Sequence, residues 1–301
     1  MQKIPVILDT DIGVDVDDIW ALVMMLKCPE LDVKLIVTDT GDTTYAAKIV
    51  ARLLEVGNRT DIPIGVGIPL QNTPQPHASW IEGYDLEQFP GTILEDGVGA
   101  IIDTIMDSSD PVSLISIGPV PNIAAALQSE PAITKKSRFI GMHGSIYRGY
   151  MGAAQPAAEY NVAQFPKAAR KVFTTPWDIT ITPLDTCGLI MLKDDKFRKV
   201  RDCSDELTQS VIENHRLWAQ GFGGKLYKGL DPEIQSTVLF DTVAVYLAFA
   251  EDLLDLETLN ISIDEKGHTV IDESGQSIRC ATGWKNLGAF EDMLVERLIS
   301  T

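Results

Sequence analysis

Val6-Ile7-Leu8-Asp9-Thr10-Asp11-Ile12-Gly13-Val14-Asp15-Val16-Asp17-Asp18 stands almost at the start of the chain. An apolar run passes into five carboxylates within ten residues, and an apolar helical pattern follows from Asp17. A short apolar run of this kind reads as a buried strand, and the Asp and Gly residues after it read as a loop. Five acids this close repel one another unless a cation stands among them. The loop holds oxygen donors and no His or Cys, which points to Ca²⁺ or Mg²⁺ rather than zinc. Capping of the helix at Asp17 accounts for one or two of the acids and leaves the others uncompensated.

Outward from this stretch, short β-branched runs alternate with helical ones. Strands are expected at 5–8, 33–37, 62–66, 112–117, 138–142 and 179–183. Helices are expected at 17–27, 43–56, 97–106, 122–127 and 166–173. Alternation of this type predicts an α/β fold with a mostly parallel, doubly wound central sheet. Ligands of such sheets bind outside the carboxyl ends of the strands, and the acidic loop lies at one such end. After Asp194 the pattern turns helical, at 195–201, 205–221 and 241–249. Residues 261–263 and 268–280 read as a small antiparallel hairpin with a turn at Glu273-Ser274-Gly275, and 286–299 as a last helix. No repeat or low-complexity linker divides the chain, so a single domain over 1–301 is expected. The Pro-, Gly- and aromatic-rich segment 72–96 reads as a mobile flap over the site.

The chain has 301 residues, 45% of them hydrophobic, and a net charge of −18. That charge argues against nucleic acid and against anionic membranes as partners. No apolar run reaches transmembrane length. With a strand opening by Ile4 there is no room for a signal peptide. Cys28, Cys187, Cys203 and Cys280 are scattered without CxxC spacing, as expected of free thiols in the cytoplasm.

Two known kinds of acidic metal loop can be compared with this one. An EF-hand starting at Asp9 would have Val14 at its turn glycine and Trp20 at its final glutamate, so it does not fit. An Asp-x-Asp after an apolar strand also opens haloacid-dehalogenase-type phosphatases, with Asp9 as nucleophile and Mg²⁺ as cofactor. There a small β-branched residue usually follows; here Ile12-Gly13 and three further acids do.

The ordered set of motifs resembles the inosine-uridine preferring nucleoside hydrolases. Asp9 to Asp18 is similar to a longer version of that family's opening acidic loop. Gly118-Pro119-Val120-Pro121-Asn122-Ile123-Ala124 resembles its Gly-Pro-Leu-Thr-Asn-Ile-Ala, and Pro156 to Asn161 its Pro-x-Ala-Glu-Phe-Asn. Asp241 matches its late metal-binding Asp. The resemblance implies Ca²⁺ held by Asp11, Asp18, Asp241 and the carbonyl of Pro121, with the ribose hydroxyls and a water completing the shell. It implies Asp11 as the base that takes the proton of the attacking water, and an oxocarbenium-like transition state. Glu159, Asn161 and Asp17 would bind the ribose hydroxyls, with Asp15 as the alternative to Asp17, and Asp9 would brace the loop. Asp42 stands where the family has Asn, in a Gly-Asn pair after the second strand. The resemblance also implies a small-molecule ribonucleoside substrate and a homodimer or homotetramer.

The departures fall on the side of the base. Many members carry His before the late Asp; here that position is Phe240. Ala153 stands for an Asn, and His143 for a Gly of Met-Gly-Gly. His143 and His215 are therefore the candidate leaving-group acids, and Trp80, Trp218, Tyr84 and Tyr227 the candidates to stack on the base. A relative that binds nucleosides with little turnover is the non-enzyme alternative.

Overall fold

The strand β1 (Ile4–Thr10) sends Val6 and Leu8 to one face and Ile7 to the other, and all three are fully buried. Both faces are apolar because helices cover both, as parallel sheets require. The computed structural model describes residues 2–70 and 72–300. After β1 come α1 (Asp17–Leu26), β2 (Leu31–Thr38), α2 (Thr43–Val56), β3 (Ile64–Val66), β4 (Ile93–Leu94), α3 (Gly97–Asp107), β5 (Val112–Ser116), α4 (Pro121–Ser129), β6 (Ser137–Met142), α5 (Tyr160–Ala163), α6 (Pro166–Thr174) and β7 (Ile179–Thr182). The remainder is α7 (Leu184–Cys187), α8 (Asp194–Arg201), α9 (Glu206–Trp218), α10 (Gly224–Leu226), α11 (Thr242–Leu247), β8 (Leu254–Ile263), β9 (Thr269–Ile271), β10 (Gln276–Trp284) and α12 (Leu287–Ile299).

One sheet runs in the order β4-β3-β2-β1-β5-β6-β7-β10-β8-β9. Strands β1 to β7 are mutually parallel, as the βα alternation predicts. A core under α1, α2, α9, α11 and α12 takes Val6, Leu8, Ile115 and Ile140 from the sheet. The opposite core, under α3, α4 and α6, takes Ile7, Leu114, Phe139 and Ile181. The register of β2 slips at one point: Val6 pairs with Val33, but Ile7 pairs with Leu35. Lys34 is the extra, exposed residue of this bulge, and beyond it the strand's faces are exchanged. Leu35 and Val37 thereby reach the second core while Val33 and Ile36 stay in the first.

Two sequence expectations are corrected. The expected small antiparallel hairpin is present as β8 with β9, and it belongs to the same sheet, since β10 pairs with β7 in parallel and with β8 in antiparallel. Segment 268–280 splits into β9 and β10, which flank β8 on opposite sides, so the turn at Asp272 to Gly275 is a crossing. Segment 72–96 is pinned rather than free. It contains β4, it buries Trp80, Ile81 and Phe89, and Tyr84 Oη donates to Glu55 Oε2 at 2.9 Å. No helix among the described residues is long and apolar enough to cross a membrane.

The neighbours of β1 are β2 on one side and β5 on the other, so the chain's direction of travel reverses at β1/β5. This switch point opens a crevice at the carboxyl ends of the strands. The β1–α1 loop, the β5–α4 turn and the β6–α5 loop all meet there.

Candidate active site

A cavity of about 660 Å³ opens at the switch point. Asp11, Asp15, Asp17, Asp18, Glu159 and Asp241 line it, and no Lys, Arg or His does among the described residues. Carboxylate oxygens of Asp17, Asp18 and Asp241 lie within 4.8 Å of one another, and all three residues are buried. Asp17 and Asp18 form the first turn of α1, where the helix N-terminus favours anions. The hydroxyl of Thr10 donates to Asp18 Oδ1 and holds it. Asp241 enters from 223 residues away in sequence (241 minus 18), at the start of α11.

Burial pushes the carboxyls of Asp11, Asp17, Asp18 and Asp241 well above the usual range, and their neighbours' charges add to it. Burial also raises Asp15, to about 6. Such a group is relieved by protons or by a cation. Hard oxygen donors with this spacing fit a divalent ion such as Ca²⁺, whose bonds of about 2.3–2.6 Å bring ligand oxygens within roughly 5 Å of each other. Asp17 thus stands with Asp18 and Asp241, a position the sequence reading gave to Asp11. Asp11 lines the same cavity outside that tight group, and its charge is felt by Asp18 and Asp241. Pro121 opens α4 and is not among the lining residues.

Glu159 caps α5. Its carboxylate accepts from the backbone N–H groups of Asn161 (2.7 Å), Gly144 (3.0 Å) and Val162 (3.2 Å). Burial raises it to about 7 against those three bonds. Asn161 spends its Nδ2 on the carbonyls of Ile117 (2.9 Å) and Met142 (3.0 Å), which leaves Oδ1 for a ligand.

Clamps hold the acidic loop from outside. Gly13 has φ +111°, and a Cβ there would stand 2.7 Å from the Tyr45 ring. Tyr45 Oη donates to the Gly13 carbonyl at 3.4 Å and accepts the His77 N–H at 3.0 Å, while His77 Nε2 lies 3.4 Å from the Asp15 carbonyl. Gly118 is needed for a close approach: a Cβ would meet Asp39 Oδ2 at 2.6 Å and Asp11 N at 2.8 Å.

Asp9 is fully buried behind the cavity, with Oδ2 accepting from Asn122 Nδ2 at 2.9 Å. It does not line the cavity, so a phosphatase nucleophile there is not supported. Burial raises it to about 6. Asn122 also donates to the Thr38 carbonyl (3.1 Å) and accepts from Ile68 N (2.9 Å). Replacing it by Leu strands three polar groups, those of Asp9 and Thr38 buried and that of Ile68 partly buried. Asn122→Leu should cost about 3 kcal/mol of folding stability, read from the urea midpoint at unchanged slope. A loss below about 0.5 kcal/mol would show that the bracing is unimportant.

Four expected substrate contacts lie elsewhere. His143 is fully buried between Phe139 and Phe173, with Nε2 3.1 Å from the Gly118 carbonyl. Burial lowers it to about 3, so it is neutral at physiological pH. Trp80 is buried under the Arg52 guanidinium and donates from Nε1 to Glu213 at 3.1 Å. Trp218 is fully buried and stacks on His215, whose Nε2 lies 3.1 Å from the Gln235 carbonyl. Asp42 is exposed, caps α2 through Tyr45 N at 2.9 Å and accepts from Gln75 at 3.2 Å.

Other residues at the site escaped the sequence reading. Asp39, at the carboxyl end of β2, is fully buried, and the charges of Asp9 and Asp11 add to burial in raising its carboxyl. Its place directly after a strand was the available signal. Tyr150, Met151, Tyr160, Phe222 and Leu226 line the cavity with Phe240 and Tyr227, and no spacing pattern marks them.

Comparison with known proteins agrees with this geometry. The model of the family described as inosine-uridine preferring nucleoside hydrolase matches residues 6–297. The non-specific ribonucleoside hydrolase RihC of Klebsiella pneumoniae is 29% identical over 291 residues, covering 91% of this chain and 90% of that protein. Its Escherichia coli counterpart is 29% identical over 290 residues, with the same coverage. A plant nucleoside hydrolase shares the fold with a TM-score of 0.81 at 20% identity over 100% of both chains. The purine-preferring ribonucleoside hydrolase of Gardnerella vaginalis does so at 0.77 and 20%, over 98% of both. With its acidic switch-point cavity and a family match over nearly its whole length, the chain belongs to the inosine-uridine preferring nucleoside hydrolases.

Proposed function

We propose that the chain is a Ca²⁺-dependent ribonucleoside hydrolase that releases ribose and free base. The observation that carries this reading is the buried group of Asp17, Asp18 and Asp241 beside Asp11 on the floor of an apolar-walled cavity. Asp11, Asp18 and Asp241, with the Pro121 carbonyl, would hold the ion, and Asp17 adds a further carboxylate. Bound there, Ca²⁺ supplies a seat for the ribose 2′- and 3′-hydroxyls and makes water more acidic. Asp11 takes a proton from the attacking water. The water oxygen bonds to C1′, the glycosidic bond breaks, and its electron pair leaves with the base. Glu159 is fixed by three N–H groups and, with Asn161 Oδ1 and Asp15, receives the ribose hydroxyls. Phe240 and Tyr150, edge to face at 6.0 Å, wall the space for the base. The reading includes a cytoplasmic enzyme that assembles as a homodimer or homotetramer, which sedimentation tests.

The test is ribose release from inosine and uridine by chelator-stripped protein, before and after Ca²⁺ is returned. Release only with the ion supports the reading. Phosphate release from esters, or nucleoside binding without products, overturns it. Stability should follow the ion as well. Ca²⁺ at about 100 times its Kd should add about 2.7 kcal/mol, because it binds the folded carboxylate group and not the unfolded chain. Denaturation curves that coincide with and without EDTA would remove the metal from the account.

A further inference from the structure

Asn214 of α9 and His77 of the segment 72–96 lie beside the acidic loop, both fully buried and neither lining the cavity. Buried polar groups are hydrogen-bonded, and here each donor can be traced. Asn214 spends Nδ2 on the Ser210 carbonyl at 2.9 Å, one turn back in the helix, so its Oδ1 faces His77 Nδ1 at 2.9 Å as an acceptor. His77 Nδ1 therefore carries the ring proton. Burial lowers the ring to about 4, so it is neutral and has no second N–H. Its Nε2 meets the Asp15 carbonyl oxygen at 3.4 Å as a contact between lone pairs. The His77 backbone N–H donates to Tyr45 Oη at 3.0 Å, and Tyr45 Oη donates to the Gly13 carbonyl at 3.4 Å. His77 and Tyr45 thus link α9 to the acidic loop. The far end of the same helix forms one wall of the cavity. After Trp218, α9 runs on through a π-helical turn, Ala219–Gly223, into α10. Turns of this kind are frequent at functional sites. Phe222 of the turn, with Leu226 and Tyr227 after it, lines the cavity. One continuous element therefore carries both the anchor of the acidic loop and the aromatic wall.

We propose that His77 and Asn214 are positioning residues that hold the acidic loop at a fixed distance from the aromatic wall. This role rests on the hydrolase reading above and deepens it. A nucleoside bound across the cavity touches both sides at once. A shift of the loop against the wall misaligns C1′ with the attacking water, and a displacement of about 1 Å from a remote change can cost about 10²-fold in rate. The ground-state contacts of the ribose are individually retained, so the loss falls on kcat more than on KM.

The experiment measures ribose release from inosine and uridine by Ca²⁺-loaded protein, beside nitrogen NMR of the imidazole rings. The chain has four histidines, and the signal lost in His77→Asn assigns His77. Asn214→Leu and His77→Phe should each lower kcat by about 10- to 100-fold and move KM by less than about threefold. His77→Asn places an amide donor near the position of Nδ1 and should stay within about threefold of wild type. Trp80→Phe is the control. It cuts the neighbouring bond between the same two elements, from Trp80 Nε1 to Glu213 at 3.1 Å, which does not lead to the acidic loop. It should keep kcat within about threefold of wild type whatever it costs in stability. Phe222→Ala combined with Asn214→Leu should cost less than the product of the two single losses, because a wall that is gone needs no alignment. The ring proton should sit on Nδ1 in wild type and move to Nε2 in Asn214→Leu, where the Asp15 carbonyl accepts it. Should Asn214→Leu not fold, His77→Phe and the wild-type spectrum decide. Full kcat in the folded variants, losses that multiply, or a wild-type proton on Nε2 would each overturn the proposal and leave the hydrolase reading standing. So would an equal loss of kcat in Trp80→Phe, since that makes the effect one of general packing. No ribose from either nucleoside with wild-type protein would overturn the hydrolase reading, and this role with it.

Discussion

Asp11→Asn should lower kcat by about 10³-fold or more while KM for the ribose moiety changes by less than about tenfold. Asn is isosteric and keeps an oxygen toward the ion and the ribose, but it cannot take a proton from water. Asp11 lines the cavity at 7% exposure, and its Oδ1 and backbone N both come close to Gly118, so the side chain has little freedom to reorient. The variant should therefore keep the Ca²⁺-induced gain in stability. Asp11→Ala should lose turnover to the same degree and part of that gain too. Steady-state kinetics and denaturation of both variants make the check. Near-normal kcat in Asp11→Asn would remove Asp11 as the base.

Asp241→Ala should abolish Ca²⁺-dependent stabilisation and lower turnover by at least about 10³-fold. The variant removes one of three carboxylates whose oxygens lie within 4.8 Å, and only two of these come from one stretch of chain. Without the ion the sign reverses. In metal-free wild-type protein Asp241 is a buried carboxyl facing Asp17, Asp18 and Asp11, and burial and those neighbours disfavour its ionised form. Deleting a buried carboxyl that has no cation beside it relieves desolvation and repulsion among the acids together. Metal-free Asp241→Ala should thus unfold at the same or a higher denaturant concentration than metal-free wild type. Full retention of the Ca²⁺ effect in this variant would show that the ion, if bound, sits elsewhere.

The order of strands and helices was legible because parallel strands are buried on both faces and read as unbroken apolar runs. Val6 to Leu8 and the run from Val112 show this plainly. The bulge at Lys34 was not legible, since a single charged residue in a strand looks like a solvent-facing position. Nor was the placement of β9 and β10 on opposite sides of β8, because a turn sequence signals reversal of the chain but not the partner strand.

At the site, residue type misled where orientation decides. His143, Trp80 and Trp218 have the chemistry to assist a leaving base, but each is held away from the cavity by packing. Asp42 looks like a ligand and serves as a helix cap. Conversely Tyr150 and Phe222 carry no local pattern and line the cavity, while Asp39, marked only by its place after a strand, stands behind it beside Asp9 and Asp11.

What the sequence determined by itself was the chemistry concentrated in one loop: five acids from Asp9 to Asp18, bound to repel without a counter-ion. Spacing within ten residues keeps them close in any fold. The tertiary structure alone decided which of them face the cavity, and that Asp241 and Glu159 join them. Glu159 arrives on the connection from β6 to α5 and Asp241 at the start of α11, both far along the chain. Strand order depends on which apolar faces pack together across the whole sheet, and that is a property of no local stretch.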